Sequence, residues 1–528
     1  MLKFYTTTHN IQTFEIPLFQ KEIYYFPMKK LLVVTFLVLC SLSQIFSSPS
    51  FERYLAPTSV QYTTSTQESA VNAASLSEML YALGNLYSYL DTNYLYDIDN
   101  AKMKNAVISA MIDSLGDKYS YYIAPDEAEE YKEETDGKYV GIGTYLTKVN
   151  PTFIDWDDPS TYMVIITSPF PGGPADRAGL RAGDMISHVN GEEIYELDAN
   201  SASKLIRGER NTPITLTVHR GSAVFDITLT PEEITTPSTS SGILNDNIGY
   251  LAITEFSKTT FDSVKEDISK LLEKGATSLI IDLRNNGGGN VDSSLSIANM
   301  FVEENKVLMT TKFKESASNK NTVYTSTDYL AVDKNFPIVV LVNGGTASAS
   351  EILTGALRDN NRALIVGSQT YGKGIMQYSV SFMGGYLNLT VANYYTPSGA
   401  SIHEIGITPD FVVNTPDYTD EELGAYSEFL KTDAIKEWLT SHPEYSKENI
   451  LAFADYYSDS NVPKELLCLL MRNEYIYSLD YDKRPVADPD FDTQLAKAIE
   501  VIKSGITVEE VNNNNNNKKD GEVEVQNL

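Results

Sequence analysis

The sequence contains only two cysteines, Cys40 and Cys468, in 528 residues, which excludes a disulfide framework, a cysteine-rich zinc site and an iron–sulfur cluster. Stability has to come from packing. Histidine is nearly as scarce: the five residues His9, His188, His219, His403 and His442 form neither a His-Glu-x-x-His motif nor an obvious metal cluster, so metalloprotease chemistry and a metal site are not expected. A Gly-x-Ser-x-Gly elbow is missing too, and with it the nucleophile motif of an α/β-hydrolase. Positive charge is in deficit. Lys and Arg number 41 against 71 Asp and Glu, a formal charge of −30, and such a surface repels phosphate backbones, so nucleic acid is not an expected partner. There is no tandem repeat. What the chain does have is 42% hydrophobic and 11% aromatic residues, enough for several buried cores, which excludes global disorder. The length gives room for three or four domains.

Met28-Lys29-Lys30 precedes an apolar run from Leu31 to Phe46, the form of a secretion signal. Ser41 and Ser43 permit cleavage after Ser43, whereas a retained run is a short membrane anchor. Residues 1–48 are therefore expected to be leader or anchor, and the protein extracytoplasmic: secreted, periplasmic, or tethered through residues 31–46. Residues 1–27 show mixed charge and no periodicity, which points to Met28 as the start, and Leu39 is larger than lipid attachment at Cys40 usually accepts. Residues 49–67 read as a Ser/Thr-rich linker. In residues 68–138 the spacing of Leu76, Met79, Leu80, Leu83, Leu86 and Leu90, then of Met103, Ala106, Val107, Ala110 and Met111, predicts two amphipathic helices. The pattern then changes to alternating strands with Gly and Pro turns over 139–235. Short apolar strands alternate with helical stretches over 236–415, the signature of an α/β layer architecture. Residues 416–510 read as a helical extension whose clustered aromatics, Trp438, Tyr456, Tyr457, Tyr475 and Tyr477, suit a cap, a partner surface or a homo-oligomer contact. Residues 511–528, with the Asn512–Asn517 run, read as a disordered tail.

Chemistry is concentrated in three stretches. Pro337–Asn343 is an apolar strand running into Gly344-Gly345-Thr346-Ala347-Ser348-Ala349-Ser350-Glu351, a small-residue turn that would present a hydroxyl at a helix N-terminus, where a developing oxyanion is favoured. Lys373 lies between glycines in Thr370-Tyr371-Gly372-Lys373-Gly374. A serine hydroxyl needs a base, and lysine serves only when neutral, although its free pKa of about 10.4 leaves it charged at pH 7; burial has to lower it. Leu279–Asn290 is a strand breaking into Gly287-Gly288-Gly289, whose amides can approach a carbonyl oxygen closely. Upstream, Val140-Gly141-Ile142-Gly143, then Pro174-Ala175-x-x-Ala178-Gly179-Leu180-x-x-Gly183-Asp184, the Asn190-Gly191 turn, a helical stretch Tyr195–Ile206 and alternating Ile214, Leu216 and Val218 together resemble a PDZ domain.

The set Asp282-Leu-Arg-Asn-Asn-Gly-Gly-Gly289, Thr346-Ala-Ser-Ala-Ser-Glu-Ile352, Thr370-Tyr-Gly-Lys-Gly-x-x-Gln377, Tyr395-Thr-Pro-Ser-Gly399 and Gly406-Ile-Thr-Pro-Asp410 resembles the carboxyl-terminal processing, or tail-specific, serine protease family over most of residues 70–415. The resemblance implies an α/β multi-domain chain: N-terminal helices, a β-rich PDZ domain at 139–235, an α/β protease core at 236–415 and a helical C-terminal extension. It implies a Ser/Lys endopeptidase cutting proteins near free C-termini without a cofactor, with Ser348 as nucleophile, Lys373 as general base, Gln377 orienting the lysine, and oxyanion donors at Ala349 and at Gly287 or Gly288. A substrate tail would lie as a strand beside Gly141 to Leu146, its carboxylate near Gly143, with Gly141, Ile142, Gly143 and Arg207 binding it. The resemblance also implies that the PDZ domain gates the active site and that Arg207, at the end of the PDZ helix, contacts the core, with an ordinary surface arginine as the equal alternative. On the serine alone, a helix-entry role weighs equally, with Ser350 competing for the cap. His403 is the rival base, at a position the family does not use. Asp282 and Arg284 are expected to make structural contacts. The rival function is a non-catalytic PDZ scaffold; an acyl-CoA enzyme sharing the glycine turn gives no reason for the PDZ segment.

Overall fold

The computed structural model describes residues 67–148, 156, 158–317, 320–479 and 483–513. The expected leader, the linker up to residue 66 and the tail beyond residue 513 lie outside the described residues. Among the described residues no helix is long and apolar enough to cross a membrane. Among the described residues, 67–107 with 427–433 form one compact unit and the others a second.

The two expected N-terminal helices are α1 (Gln67–Asn93) and α2 (Asn100–Asp113). Leu76, Leu80 and Leu86 of the first and Met111 of the second are exposed. A short strand β1 (Tyr121–Ile123) and helix α3 (Ala128–Asp136) lead into the PDZ-like segment. There β2 (Lys138–Gly141) pairs with β9 (Glu232–Thr235), while β3 (Thr144–Thr147), β4 (Val164–Pro169), β5 (Met185–Val189), β7 (Ile214–Arg220) and β8 (Ala223–Leu229) make one antiparallel sheet with β6 (Glu192–Glu193) on β5. Asn190 and Gly191 both take positive φ between β5 and β6, the turn that an Asn-Gly pair favours. Short helix α4 (Pro174–Arg177) and α5 (Ala199–Arg207) cover this sheet; α5 starts four residues later than the periodicity predicts because Asp198 caps it, accepting from the Ser201 amide. Val164, Ile166, Ile186, Leu216, Val218, Ala202 and Ile206 close this core.

The second sheet runs β10 (Thr239–Leu244), β11 (Ile248–Ile253), β12 (Ser278–Asp282), β15 (Ile338–Val342), β16 (Leu364–Gly367), β19 (Phe411–Val412). All pairings are parallel except β10 with β11. Strands β12 and β15 are apolar on both faces, as a doubly covered parallel sheet requires. Leu279, Ile281, Ile338, Val340 and Val342 pack under α6 (Thr260–Glu273), α7 (Val291–Asn299) and α8 (Ala349–Asp359). Ile280, Val339 and Leu341 face the other way, onto Leu495, Ala498 and Val501 of α13 (Thr493–Ser504). The extension thus includes the cover for the second face of this sheet. Each large α13 side chain buried there contributes about 1.5–3 kcal/mol. Arg284 fixes the contact: it bonds Asp282 at 2.6 Å and Asp492, the α13 N-cap, at 2.7 Å, while Gln494 donates to the Val413 carbonyl at 2.7 Å. The structural role expected for Asp282 and Arg284 is what they perform. The other helices of this region are α9 (Asp420–Phe429), α10 (Ala434–Ser441), α11 (Lys447–Tyr456) and α12 (Lys464–Ser478). Their aromatics are divided: Trp438 and Tyr475 are buried, Tyr456 and Tyr477 exposed. A third sheet orders β1, β18 (Gly385–Tyr395), β13 (Val307–Phe313) and β14 (Thr322–Thr325), with β17 (Ile375–Phe382) pairing β18.

Candidate active site

Parallel strands place their functional loops at their carboxyl ends. Here the loops after β12, β15 and β16 meet, carrying the glycine turn, Ser348 and Lys373 respectively. Ser348 sits between β15 and α8 with φ +56° and ψ −117°, a region that non-glycine residues rarely enter, so its backbone is strained and has to be held by its surroundings. It precedes α8 as a helix entry, as the structural reading expected, but in a conformation ordinary caps do not need. The competitor Ser350 is turned away, its hydroxyl donating to the Asn286 carbonyl at 2.9 Å.

The restraint comes mainly from Glu351, a fully buried carboxylate. Its Oε2 accepts from the Ser348 amide at 2.9 Å and the Lys373 amide at 2.9 Å; its Oε1 accepts from the Gly372 amide at 2.8 Å and the Thr370 hydroxyl at 2.6 Å. Four donors on one carboxylate offset its desolvation. One side chain therefore joins the serine loop to the lysine loop. Buried Tyr394 makes a second link, its hydroxyl reaching the Ser348 carbonyl at 3.1 Å and also the Lys373 carbonyl. Burial raises that phenol well above its ordinary pKa, so it stays protonated as a donor.

The glycine turn is held against Ser348 by Asn286. Its side-chain amide donates to the Ile253 carbonyl at 2.8 Å, its carbonyl oxygen accepts from the Gly288 amide at 2.9 Å, and its backbone carbonyl accepts from Ala347 at 3.0 Å. Gly288, at φ +100°, lies so close that an added Cβ would stand 2.8 Å from the Ser348 Cβ and 2.9 Å from the Ala349 nitrogen. Only glycine fits there. Of the two candidate donors in this turn, the Gly288 amide is thus committed to Asn286, while the amides of Gly287 and of Ala349, the first residue of α8, have no hydrogen-bond acceptor among the described residues.

Lys373 is half-buried and its ammonium nitrogen lies 4.7 Å from the centre of the Tyr119 ring. Burial lowers its pKa, against Asp117 and Tyr371, which raise it. Asp117 is itself pushed up by burial, but hydrogen bonds from Ser120, Thr390 and the Tyr119 amide more than reverse this and keep it ionised. Among the described residues no hydrogen bond joins Lys373 to Ser348 or to Gln377; Gln377 donates to Thr390 at 3.0 Å. The structure therefore brings the serine and lysine loops together with the lysine side chain resting on an aromatic face. His403 packs its backbone against Gly374, with no bond to Ser348.

The PDZ-like segment gathers Gly141, Gly143 and Arg207 around Tyr139, whereas Ile142 is buried in the core of that segment. An added Cβ on Gly141 would stand 2.4 Å from the Tyr139 ring. The Arg207 guanidinium stacks 4.9 Å from the centre of that ring and pairs at 2.7 Å with Glu133 of α3. Burial raises the Tyr139 phenol, while Arg207 and the amides of Thr144 and Gly143 pull it back.

Glu351, Asn286, Tyr394 and Tyr119 are the site residues that sequence reasoning missed. Glu351 carried the one available signal, an acid three residues after a serine at a helix start. Among the described residues no three His, Cys, Asp or Glu side chains converge as a metal site.

Residues 247–413 match the model of peptidase family S41, and residues 165–220 that of a PDZ domain. A probable CtpA-like serine protease of Staphylococcus aureus (strain COL) is 35% identical over 340 residues, covering 64% of this chain and 66% of that protein. Its counterpart in Staphylococcus haemolyticus (strain JCSC1435) is 33% identical over 333 residues, 63% of this chain and 64% of that one. The chain thus spans just under two thirds of the length of these curated relatives. Among solved structures, a photosystem II D1 C-terminal processing protease is 28% identical, covering 66% of this chain and 90% of that one with a TM-score of 0.36. Residues 247–413 thus carry the pattern of peptidase family S41 and residues 165–220 that of a PDZ domain, the combination that the resemblance to the carboxyl-terminal processing proteases implies.

Proposed function

We propose that this protein is a serine endopeptidase with a Ser348/Lys373 dyad that cuts proteins near their C-termini, outside the cytoplasm, with the PDZ domain taking the substrate tail. The observation that carries the reading is the strained Ser348 backbone at the start of α8, beside a glycine that tolerates no side chain and an unengaged Ala349 amide. Such strain persists where a reacting group has to be presented.

The chemistry is acyl transfer. Ser348 Oγ attacks the scissile carbonyl while Lys373, made less basic by burial, takes its proton. The carbonyl oxygen becomes an oxyanion held by the Ala349 amide at the positive end of α8 and by the Gly287 amide. Protonated Lys373 then gives its proton to the leaving amine, and water repeats the sequence in reverse to free Ser348. For this the lysine has to leave the Tyr119 face and reach Ser348, with Gln377 released from Thr390 to orient it. Peptide binding at Gly141–Gly143, which displaces Tyr139 and with it the Arg207–Glu133 pair, supplies the trigger in this reading, since a ligand shifts such an equilibrium by binding one state better. The apolar run 31–46 would hold the enzyme at the membrane or direct it across.

The test is cleavage of an unfolded protein, with a free or amidated C-terminus, by the full chain and by its Ser348→Ala and Lys373→Ala variants, with products mapped by mass spectrometry. Cleavage lost equally in both variants and weakened by amidation is expected. Near-normal turnover by Lys373→Ala would sink the dyad. Tail binding by every version with cleavage by none would favour the non-catalytic PDZ scaffold.

A further inference from the structure

Lys118 has no part in the mechanism above, yet it is built into the rim of the site. Its ammonium nitrogen lies 3.1 Å from the Tyr371 hydroxyl, 4.8 Å from the centre of the Tyr119 ring and 5.6 Å from that of Tyr371. The Tyr119 hydroxyl also reaches that of Tyr371, at 3.4 Å. Tyr371 is two residues before Lys373, and the Tyr119 ring that cradles Lys118 is the ring on which Lys373 rests at 4.7 Å. The two ammonium groups are therefore under about 10 Å apart, each being less than 5 Å from one ring centre.

Among the described residues no carboxylate pairs with Lys118, whereas Lys138, Lys258, Lys270, Lys447 and Lys497 all find one. Lys118 is exposed, as is Tyr371 at 50%. Of its three donors two are taken up by the Tyr371 and Tyr119 hydroxyls, and the third is left for a ligand. Two aromatic rings restrict the flexible stem, which lowers the entropy lost when a ligand is bound. In a chain of charge −30, a restrained and unpaired cation at this place selects for the opposite charge on what enters.

We propose that Lys118 is a specificity residue that binds a substrate carboxylate close to the scissile bond, either the side chain of Glu or Asp or the terminal carboxylate of a short tail. The inference rests on the Ser348/Lys373 peptidase reading and is separate from tail capture by the PDZ domain.

The experiment uses the full chain and its Lys118→Met and Lys118→Arg variants. One peptide series has a constant free C-terminal tail long enough for the PDZ domain and places a single Glu or Gln at successive positions within four residues of the cleaved bond. A second series ends within those four residues, as free acid or amide. For one position in the first series, or for the free acid in the second, wild type should show a kcat/KM ratio over the neutral counterpart of roughly three- to tenfold at low salt, set by one partly exposed charge-assisted bond. The ratio should fall to about one in Lys118→Met, survive in Lys118→Arg, and shrink at about 0.5 M salt as a screened contact does. A Glu effect with no acid-over-amide effect assigns the site to side chains, and the converse to chain ends. No preference in wild type, or the same preference in Lys118→Met, overturns the proposal while leaving the peptidase reading intact. Cleavage of no peptide by wild type overturns both.

Discussion

Replacing Glu351 separates the scaffold of the site from its chemistry. The wild-type carboxylate holds three backbone amides, of Ser348, Gly372 and Lys373, and the Thr370 hydroxyl, all within 2.9 Å. In Glu351→Ala the three amides lose their acceptor in a buried place, at about 1–3 kcal/mol each. The total, roughly 3–9 kcal/mol, approaches the whole stability of an ordinary domain, about 5–15 kcal/mol. Glu351→Gln is milder. Its oxygen can serve the Ser348 and Lys373 amides while its NH2 group faces Thr370, whose hydroxyl can turn to accept, and only the Gly372 bond is forfeited. That loss is about 1.5–3 kcal/mol. Urea unfolding and peptide turnover should therefore rank wild type above Glu351→Gln above Glu351→Ala, with the alanine variant losing at least about a hundredfold in kcat because the strained Ser348 turn relaxes. A Glu351→Ala protein within about 1 kcal/mol of wild type and within twofold of its kcat would refute the view that this carboxylate holds the two loops together.

Two further outcomes follow from the same geometry. Asp117 raises the pKa of Lys373, and the base works when neutral, so activity climbs with pH through that pKa; Asp117→Asn should move the rising limb of the kcat/KM profile to lower pH, and an unmoved or alkaline-shifted limb contradicts the assignment. Gly288→Ala would place a Cβ 2.8 Å from both the Ala347 carbonyl oxygen and the Ser348 Cβ, at φ +100°. It should lower peptide turnover by about two orders of magnitude or more, with strain of about 1–3 kcal/mol visible in urea unfolding; activity within tenfold of wild type speaks against the close packing of turn and serine.

The serine, the lysine and the glycine turn were legible in the sequence because each lies in a short motif of unusual composition between a strand and the next element. Their supports were not. Asn286 looks like one more loop asparagine and Tyr394 like one more strand tyrosine until the fold sets them beside residues 61 and 21 positions away. Nothing local to Tyr119 says that its ring underlies Lys373, 254 residues later by number. The helical character of residues 416–510 followed from periodicity, whereas the burial of α13 against the main sheet depends on Arg284 meeting Asp492 across 208 positions. Periodicity reports which face of an element is apolar, not what will cover it.

That cover bears on when the site is completed. The sheet carrying the serine and glycine loops is otherwise finished at β19, yet one of its faces waits for a helix starting at Thr493. Made from the N-terminus at about 5–20 residues per second, the chain emerges for several seconds more before that helix is available. During this interval the ribosome, or the export machinery, handles a sheet with an apolar side open to solvent and an Arg284 without its Asp492 partner. Completion of the sheet that carries the serine and glycine loops is thereby tied to delivery of a segment that contributes no residue to the candidate site.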